Sequence, residues 1–154
     1  MTVMPAALQF GSVDGAALGQ GVLATLLYFV VGFAVLGLGF VVLDALTPGN
    51  LRRQVYLDRN PNAAILLGAN HLALAVIVVT AILTSDDALG QGLVDSAVYG
   101  LIGVVLQGVA LRLLDAFVPG RLRNLVNEPQ MNGAAWAVGA SLVAIGVVNA
   151  AALS

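Results

Sequence analysis

Four long apolar runs, separated by shorter polar stretches, set the pattern of this chain. They are Val22–Leu46, Ala63–Leu83, Ala97–Val118 and Gly133–Leu153. About 20 apolar residues are enough for a helix to cross roughly 30 Å of hydrocarbon. Polar residues interrupt the runs sparsely. Thr25, Tyr28 and Asp44 fall in the first, and Asn70, His71 and Thr80 in the second. Gln107, Arg112 and Asp115 fall in the third, and Ser141 and Asn149 in the fourth. Inside lipid the backbone must satisfy its own hydrogen bonds, so each run predicts a helix. A transmembrane barrel would alternate apolar and polar residues in segments of about ten. These runs do not alternate.

The polar stretches differ in charge. Residues 48–62 hold Arg52, Arg53 and Arg59, and residues 119–132 hold Arg121 and Arg123. Residues 84–96 hold Asp86, Asp87 and Asp95 and no base, and residues 1–21 carry no Lys or Arg. Basic loops stay on the cytoplasmic side of a membrane. The expected topology therefore has both arginine loops inside, and both termini and the acidic loop outside. Tyr28 and Tyr99 then fall near the outer interface, Tyr56 and Trp136 near the inner one, as an aromatic belt. Residues 1–21 read as an external segment, without the charged start of a signal peptide.

Composition narrows the function classes. The 154 residues are 60% hydrophobic and 9% charged, with mean hydropathy +0.99. Soluble domains are nearer 45–50% apolar and about 25% charged, so a soluble enzyme and a disordered chain are both excluded. Six arginines, no lysine and a net charge of −2 leave no basic face for nucleic acid. There is no cysteine and one histidine, which argues against disulfides, thiolate chemistry and a zinc site. No phosphate-binding glycine loop, Gly-x-Ser-x-Gly or His-Glu-x-x-His motif occurs. The expectation is a non-enzyme with no cofactor and no metal.

The chain also matches itself at an offset of 71 residues. Leu43-Asp44-Ala45, Pro48-Gly49, Leu51-Arg52 and Val55 align with Leu114-Asp115-Ala116, Pro119-Gly120, Leu122-Arg123 and Val126. Tyr28/Tyr99, Gly32/Gly103, Gly37/Gly108 and Gly68/Gly139 align as well. Repeat 1 is residues 22–83 and repeat 2 is residues 97–154, joined by the acidic loop 84–96. Each is one helical hairpin around an arginine loop. Two spans return the chain to its starting side, so both copies point the same way. Parallel repeats are related by an axis along the membrane normal, which predicts an all-α, pseudo-two-fold four-helix bundle.

The closing and opening motifs of these hairpins carry a family resemblance. Leu46-Thr47-Pro48-Gly49-Asn50 ends the first span, and Asn60-Pro61-Asn62-Ala63-Ala64-Ile65-Leu66-Leu67-Gly68 opens the second. Val118-Pro119-Gly120 and Asn132-Gly133-Ala134-Ala135-Trp136-Ala137-Val138-Gly139 do the same in the second copy. With these motifs, over about 130 residues, the chain resembles the bacterial domain of unknown function 350 family, the 0719-type transmembrane proteins. The resemblance implies a bacterial inner-membrane protein without an established activity, in a membrane-stress or transport context. An acidic residue that often follows the Thr-Pro step in the family is absent here, where Asn50-Leu51-Arg52 stands.

Candidate chemistry lies in the few polar residues of the spans. Asp44 and Asp115 occupy equivalent places one turn before their prolines, and Arg112 precedes Asp115 by three residues on one helix face. One reading is a charged cytoplasmic gate or a proton or cation site. The other is an ion pair pinning the first and third helices. By helix rise, Asn70, His71, Gln107 and Ser141 fall near the midplane. They could line a path for an ion, proton or small solute, with His71 as its titratable element. As interhelical glue they would contribute about 0.6 kcal/mol per contact. Gly32, Gly37, Gly103, Gly108, Gly68 and Gly139 suit close helix packing. Arg52, Arg53, Arg59, Arg121 and Arg123 suit anionic headgroups. Expected partners are the bilayer, further copies of the chain and a cytoplasmic protein at the arginine loops. The leading expectation is an oligomer that conducts or senses a small cation or polar solute. Its rival is a structural or membrane-stress signalling component without a pore.

Overall fold

The computed structural model describes residues 14–47, 49–117 and 121–153, and of Arg121 the backbone alone. Most of the external segment 1–21, the turn residues Pro48, Pro119 and Gly120, and the end of the third span at Val118 lie outside the described residues. Among the described residues the fold is all helical, with no strand. The helices are α1 (Gly15–Leu46), α2 (Leu51–Tyr56), α3 (Pro61–Leu83), α4 (Leu89–Phe117), α5 (Arg121–Asn127) and α6 (Gly133–Ala151). Four of them, α1, α3, α4 and α6, are long and apolar enough to cross a membrane.

The helix starts are written in the sequence. The Asp14 carboxylate accepts the Ala16 and Ala17 amides at 2.9 and 3.3 Å. Asn60 accepts those of Asn62 and Ala63, and Pro61 fills the first helical position, where no amide partner is needed. Asn132 caps α6 through the Ala134 amide. Two helices start earlier than the apolar runs suggest. α1 begins at Gly15 and α4 at Leu89, so most of the acidic stretch is helical rather than loop. Helix geometry continues past the apolar window because nothing there breaks it. At 1.5 Å per residue the 32 residues of α1 span about 48 Å, more than the hydrocarbon requires.

In the bundle α3 and α4 occupy the middle. Both pack on α1 and α6 and on each other, whereas α1 and α6 barely touch. An axis along the membrane normal would exchange the α3·α4 contact for an α6·α1 contact. The first is extensive and the second nearly absent, so the bundle departs from the two-fold arrangement. Its order is two hairpins side by side.

Buried side chains form two clusters. The one at the arginine-loop end holds Leu43, Leu66, Leu111 and Leu142, with Leu51, Leu122 and Val126 contributed by the short helices α2 and α5. The one at the other end holds Val35, Leu74, Ile77, Val78 and Val104. Outside, large apolar side chains such as Phe29, Phe33, Val105 and Phe117 are exposed. That surface contacts lipid, where apolar exposure carries no penalty.

Candidate functional site

The arginine-loop end holds most of the polar geometry. At the end of α1 the Asp44 carboxylate accepts the Leu51 amide at 2.7 Å. At the end of α4 the Asp115 carboxylate accepts the Leu122 amide, also at 2.7 Å. Each aspartate thus reaches across its turn to the start of a short helix, where unpaired amides favour an anion. Gly49, at φ +101°, makes the first turn possible, since that backbone region suits glycine. The chain then inserts Leu51 and Leu122 beneath the bundle, both buried. The repeated Leu-Asp-Ala-x-x-Pro-Gly-x-Leu motif is the local code for this turn.

The expected ion pair does not form. Arg112 is exposed and has no hydrogen-bond or ion-pair partner among the described residues. The physical reason is that both carboxylates are oriented toward backbone amides beyond the helix end. Arg112 instead lies in an open apolar groove between α1 and α4, of about 400 Å³, with Val42, Leu46, Val105, Gly108, Val109 and Leu113.

A second set of contacts stitches the two loops together. Asn60 Nδ2 donates to the carbonyls of Val126 and Glu128 at 2.7 and 3.1 Å. Asn62, fully buried, donates from Nδ2 to the carbonyls of Glu128 and Gln130 at 3.1 and 2.8 Å. Its Oδ1 accepts the Asn132 amide at 2.8 Å. Asn132 in turn donates to the Glu128 carboxylate at 2.7 Å, and Gln54 to the Asn127 side chain at 3.1 Å. Sequence reading missed Asn62. The available signal was a second asparagine directly after the Asn-Pro helix start.

Nearer the middle of the bundle, Asn70 and Gln107 are buried and line one enclosed void of about 10 Å³ with Gly39, Leu43, Leu74 and Leu111. Gln107 Nε2 donates to the Leu142 carbonyl at 3.0 Å, tying α4 to α6. Its Oε1, and Nδ2 of Asn70, have no partner among the described residues. A space of this size admits about one water. The other two residues expected at the midplane do not join them. His71 is half-buried, its Nδ1 2.9 Å from the Leu67 carbonyl, its ring 6.3 Å from that of Phe40. That carbonyl only accepts, so Nδ1 carries the proton. Ser141 donates to the Ala137 carbonyl of its own helix at 2.9 Å. Asn149 is a further buried amide that the midplane reading left out, and its Nδ2 is unpartnered.

The glycines divide into two groups. Gly32 seats Val78, Gly103 seats Ile77, Gly108 seats Val42 and Leu46, and Gly139 seats Ala69 and Ile65. Gly37 and Gly68 face open space, with nothing within 4 Å of where a Cβ would stand. Gly68 lines an open groove of about 580 Å³ between α3 and α6 with Ile65, Trp136 and Ala140.

Arg52, Arg53, Arg59 and Arg123 are exposed, and the Arg121 side chain lies outside the described residues. Arg53 meets Asp58 at 3.6 Å with both side chains at least half exposed, a contact worth little in solvent. Arg52 and Arg53 border an open cleft of about 740 Å³ with Asn50, Tyr56 and Leu57. Two cations beside exposed Tyr56 and Leu57 suit an interfacial surface facing headgroups. No group of three or more His, Asp or Glu able to hold a metal occurs among the described residues.

Residues 17–153 match the family model described as Domain of Unknown Function (DUF350). The chain is 49% identical over 148 residues to a UPF0719 transmembrane protein of Mycolicibacterium paratuberculosis, covering 96% of this chain and 98% of that one. It is 47% identical over 149 residues to UPF0719 transmembrane proteins of Mycobacterium bovis and Mycobacterium tuberculosis, covering 97% of this chain and 98% of each. No solved structure matches it at a significant level.

Proposed function

The chain belongs to the DUF350 family of transmembrane proteins, and from that premise we propose a non-enzymatic component of the bacterial inner membrane that works by assembly. Its two hairpins are copies of one module. The arginine loops face the cytoplasm, both ends face outward, and the cytoplasmic face offers Arg52, Arg53, Arg59 and Arg123 to anionic headgroups and to a signalling partner. The observation that carries this reading is where the polar groups of the bundle point. Asp44, Asp115, Asn60 and Asn62 hold turns and loops together. Gln107 ties two helices. The void beside Asn70 and Gln107 is water-sized, too small to pass a solute at that point.

A second reading, conduction or sensing of a small polar solute between copies, is favoured by Arg112. An unpaired arginine at membrane depth costs roughly 2.5–3.5 kcal/mol on insertion scales. Snorkelling to the interface lowers that cost, and so does a wet seam between subunits. Flux of protons, potassium and chloride into liposomes holding the purified protein distinguishes the two readings. The assembly reading expects silence with the wild-type protein and with Arg112→Leu. Flux that Arg112→Leu abolishes would overturn it in favour of conduction.

A further inference from the structure

Arg112 is a cation that the hairpin itself does not need. It lies five residues before Phe117, the end of α4, and the matching place five residues before Leu46, the end of α1, is held by Val41. Val41 is exposed as Arg112 is. The turn that follows is made in the same way in both copies, with Asp44 and Asp115 each accepting an amide at 2.7 Å. A valine therefore serves the fold at this position. A cation inside a span is costly unless an anion or water meets it.

The chain has no spare anion for it. Of the eight side-chain carboxylates, Asp14, Asp86, Asp87 and Asp95 stand at the opposite end of the bundle. At the arginine-loop end Asp44 and Asp115 hold backbone amides, Glu128 accepts from Asn132, and Asp58 stands beside Arg53. A second copy would bring the same carboxylates with the same partners. The anion must come from outside the protein, and beside a membrane span the anions at hand are lipid phosphates.

The surroundings of Arg112 suit a lipid. Its groove between α1 and α4 holds about 400 Å³, and every other lining residue is apolar. From Leu113, near the loops, to Val105, deeper in the span, it runs about 12 Å along the helix. Apolar contact alone selects no occupant in a bilayer, so the charge decides. Arg112 sits about 8 Å from the end of α4, and a snorkelling side chain reaches the headgroup level from there. A guanidinium grips phosphate oxygens two at a time. A zwitterionic headgroup carries its own ammonium, which competes for that phosphate, whereas an anionic one does not. We propose that this groove binds one anionic phospholipid of the leaflet at the arginine-loop end, its phosphate on Arg112 and an acyl chain along Val105, Gly108 and Val109. The site needs only that α1 and α4 cross a bilayer, and stands whether or not the chain assembles.

Native mass spectrometry of the purified full chain, titrated with equal phosphatidylglycerol and phosphatidylcholine of the same chains, reads the preference of the first bound lipid. Arg112→Leu is expected to lower the ratio of the two about tenfold, as loss of one charge-assisted contact would. Arg123→Gln, on the exposed loop, is expected to leave it unchanged. Val109→Trp fills the groove, keeps Arg112 and should also lower the ratio. Val41→Arg added to Arg112→Leu returns an arginine to the same depth outside the groove and should not restore it. If Arg112→Leu does not fold, Arg112→Gln takes its place, and Val109→Trp tests the groove independently. A ratio that survives Arg112→Leu, or that Val41→Arg restores, would overturn the site. In native membrane vesicles a benzophenone side chain at position 109 should yield lipid adducts. A chain-to-chain dimer in their place would give the groove to a second copy and overturn the lipid.

Discussion

Asn62 is the residue whose removal the structure makes most consequential for stability. Truncation to alanine deletes three hydrogen bonds at a fully buried position. The Glu128 carbonyl keeps Asn60 as a donor. The Gln130 carbonyl and the Asn132 amide lose the side-chain partner they had. At about 1 kcal/mol net per bond, with some recovery by water at the loop surface, the loss comes to roughly 2–3 kcal/mol. For a chain of this length that corresponds to a fall in melting temperature on the order of 5–12 °C. Thermal unfolding of purified protein in detergent measures it, with Asn50→Ala as the comparison. Asn50 caps α2 through one exposed contact, to the Arg53 amide, so its loss should cost about 1 kcal/mol or less. Trypsin should also cut at Arg123 faster in Asn62→Ala than in the parent. If Asn62→Ala melts within about a degree of the parent, or no lower than Asn50→Ala, the loop clamp is not what holds the hairpins together.

Two further outcomes follow from the same geometry. Asp44→Ala and Asp115→Ala each remove a charged acceptor from a helix-start amide, and each should cost about 1.5–3 kcal/mol in the same melt. Asn at either position keeps an acceptor and should restore part of the loss, whereas equal loss in Ala and Asn would return these carboxylates to an electrostatic role. At Gly146 an added Cβ would stand 2.5 Å from Ala73 Cβ and 2.7 Å from its Cα. Gly146→Ala must therefore spread α3 from α6 and should cost about 1–3 kcal/mol. Gly68→Ala meets nothing and should be neutral or slightly stabilising, and a Gly146→Ala protein as stable as the parent would refute the packing.

The spans were legible because lipid imposes a length and a composition on any helix that crosses it, and α1, α3, α4 and α6 lie over the four apolar runs. The side-chain partners were less legible. Arg112 and Asp115 share a helix face at a spacing of three, which suggests a pair. That spacing contains no information about the turn that brings the Leu122 amide back to the same carboxylate. Asn70 and His71 are both polar and equally deep, which in the sequence alone makes them one group. Neighbours in a helix point about 100° apart, so one faces the void and the other cannot. Asn62 stayed hidden because an asparagine in the first turn of a helix is ordinary, and its partners lie 66 to 70 residues away.

The placement of polar contacts has a mechanical sense. Between helices in lipid, apolar contact brings no hydrophobic gain, so close packing and hydrogen bonds decide where a bundle is held. At the arginine-loop end Asn60, Asn62 and Gln54 bond to the last residues of α5 or to the segment that follows it, while Asp44 and Asp115 accept the amides beyond their turns. At the opposite end the corresponding tie is a hydroxyl contact of 3.3 Å between Tyr28 and Ser85, beside Gly92, which leaves room for the Tyr28 hydroxyl. The two hairpins are therefore clamped at one end and merely packed at the other. The hydrogen-bonded loops carry Arg52, Arg53 and Arg123 as exposed side chains. Hydrogen-bonded loops with exposed arginines at one end, and apolar sides exposed along the helices, are the parts that the proposed assembly requires.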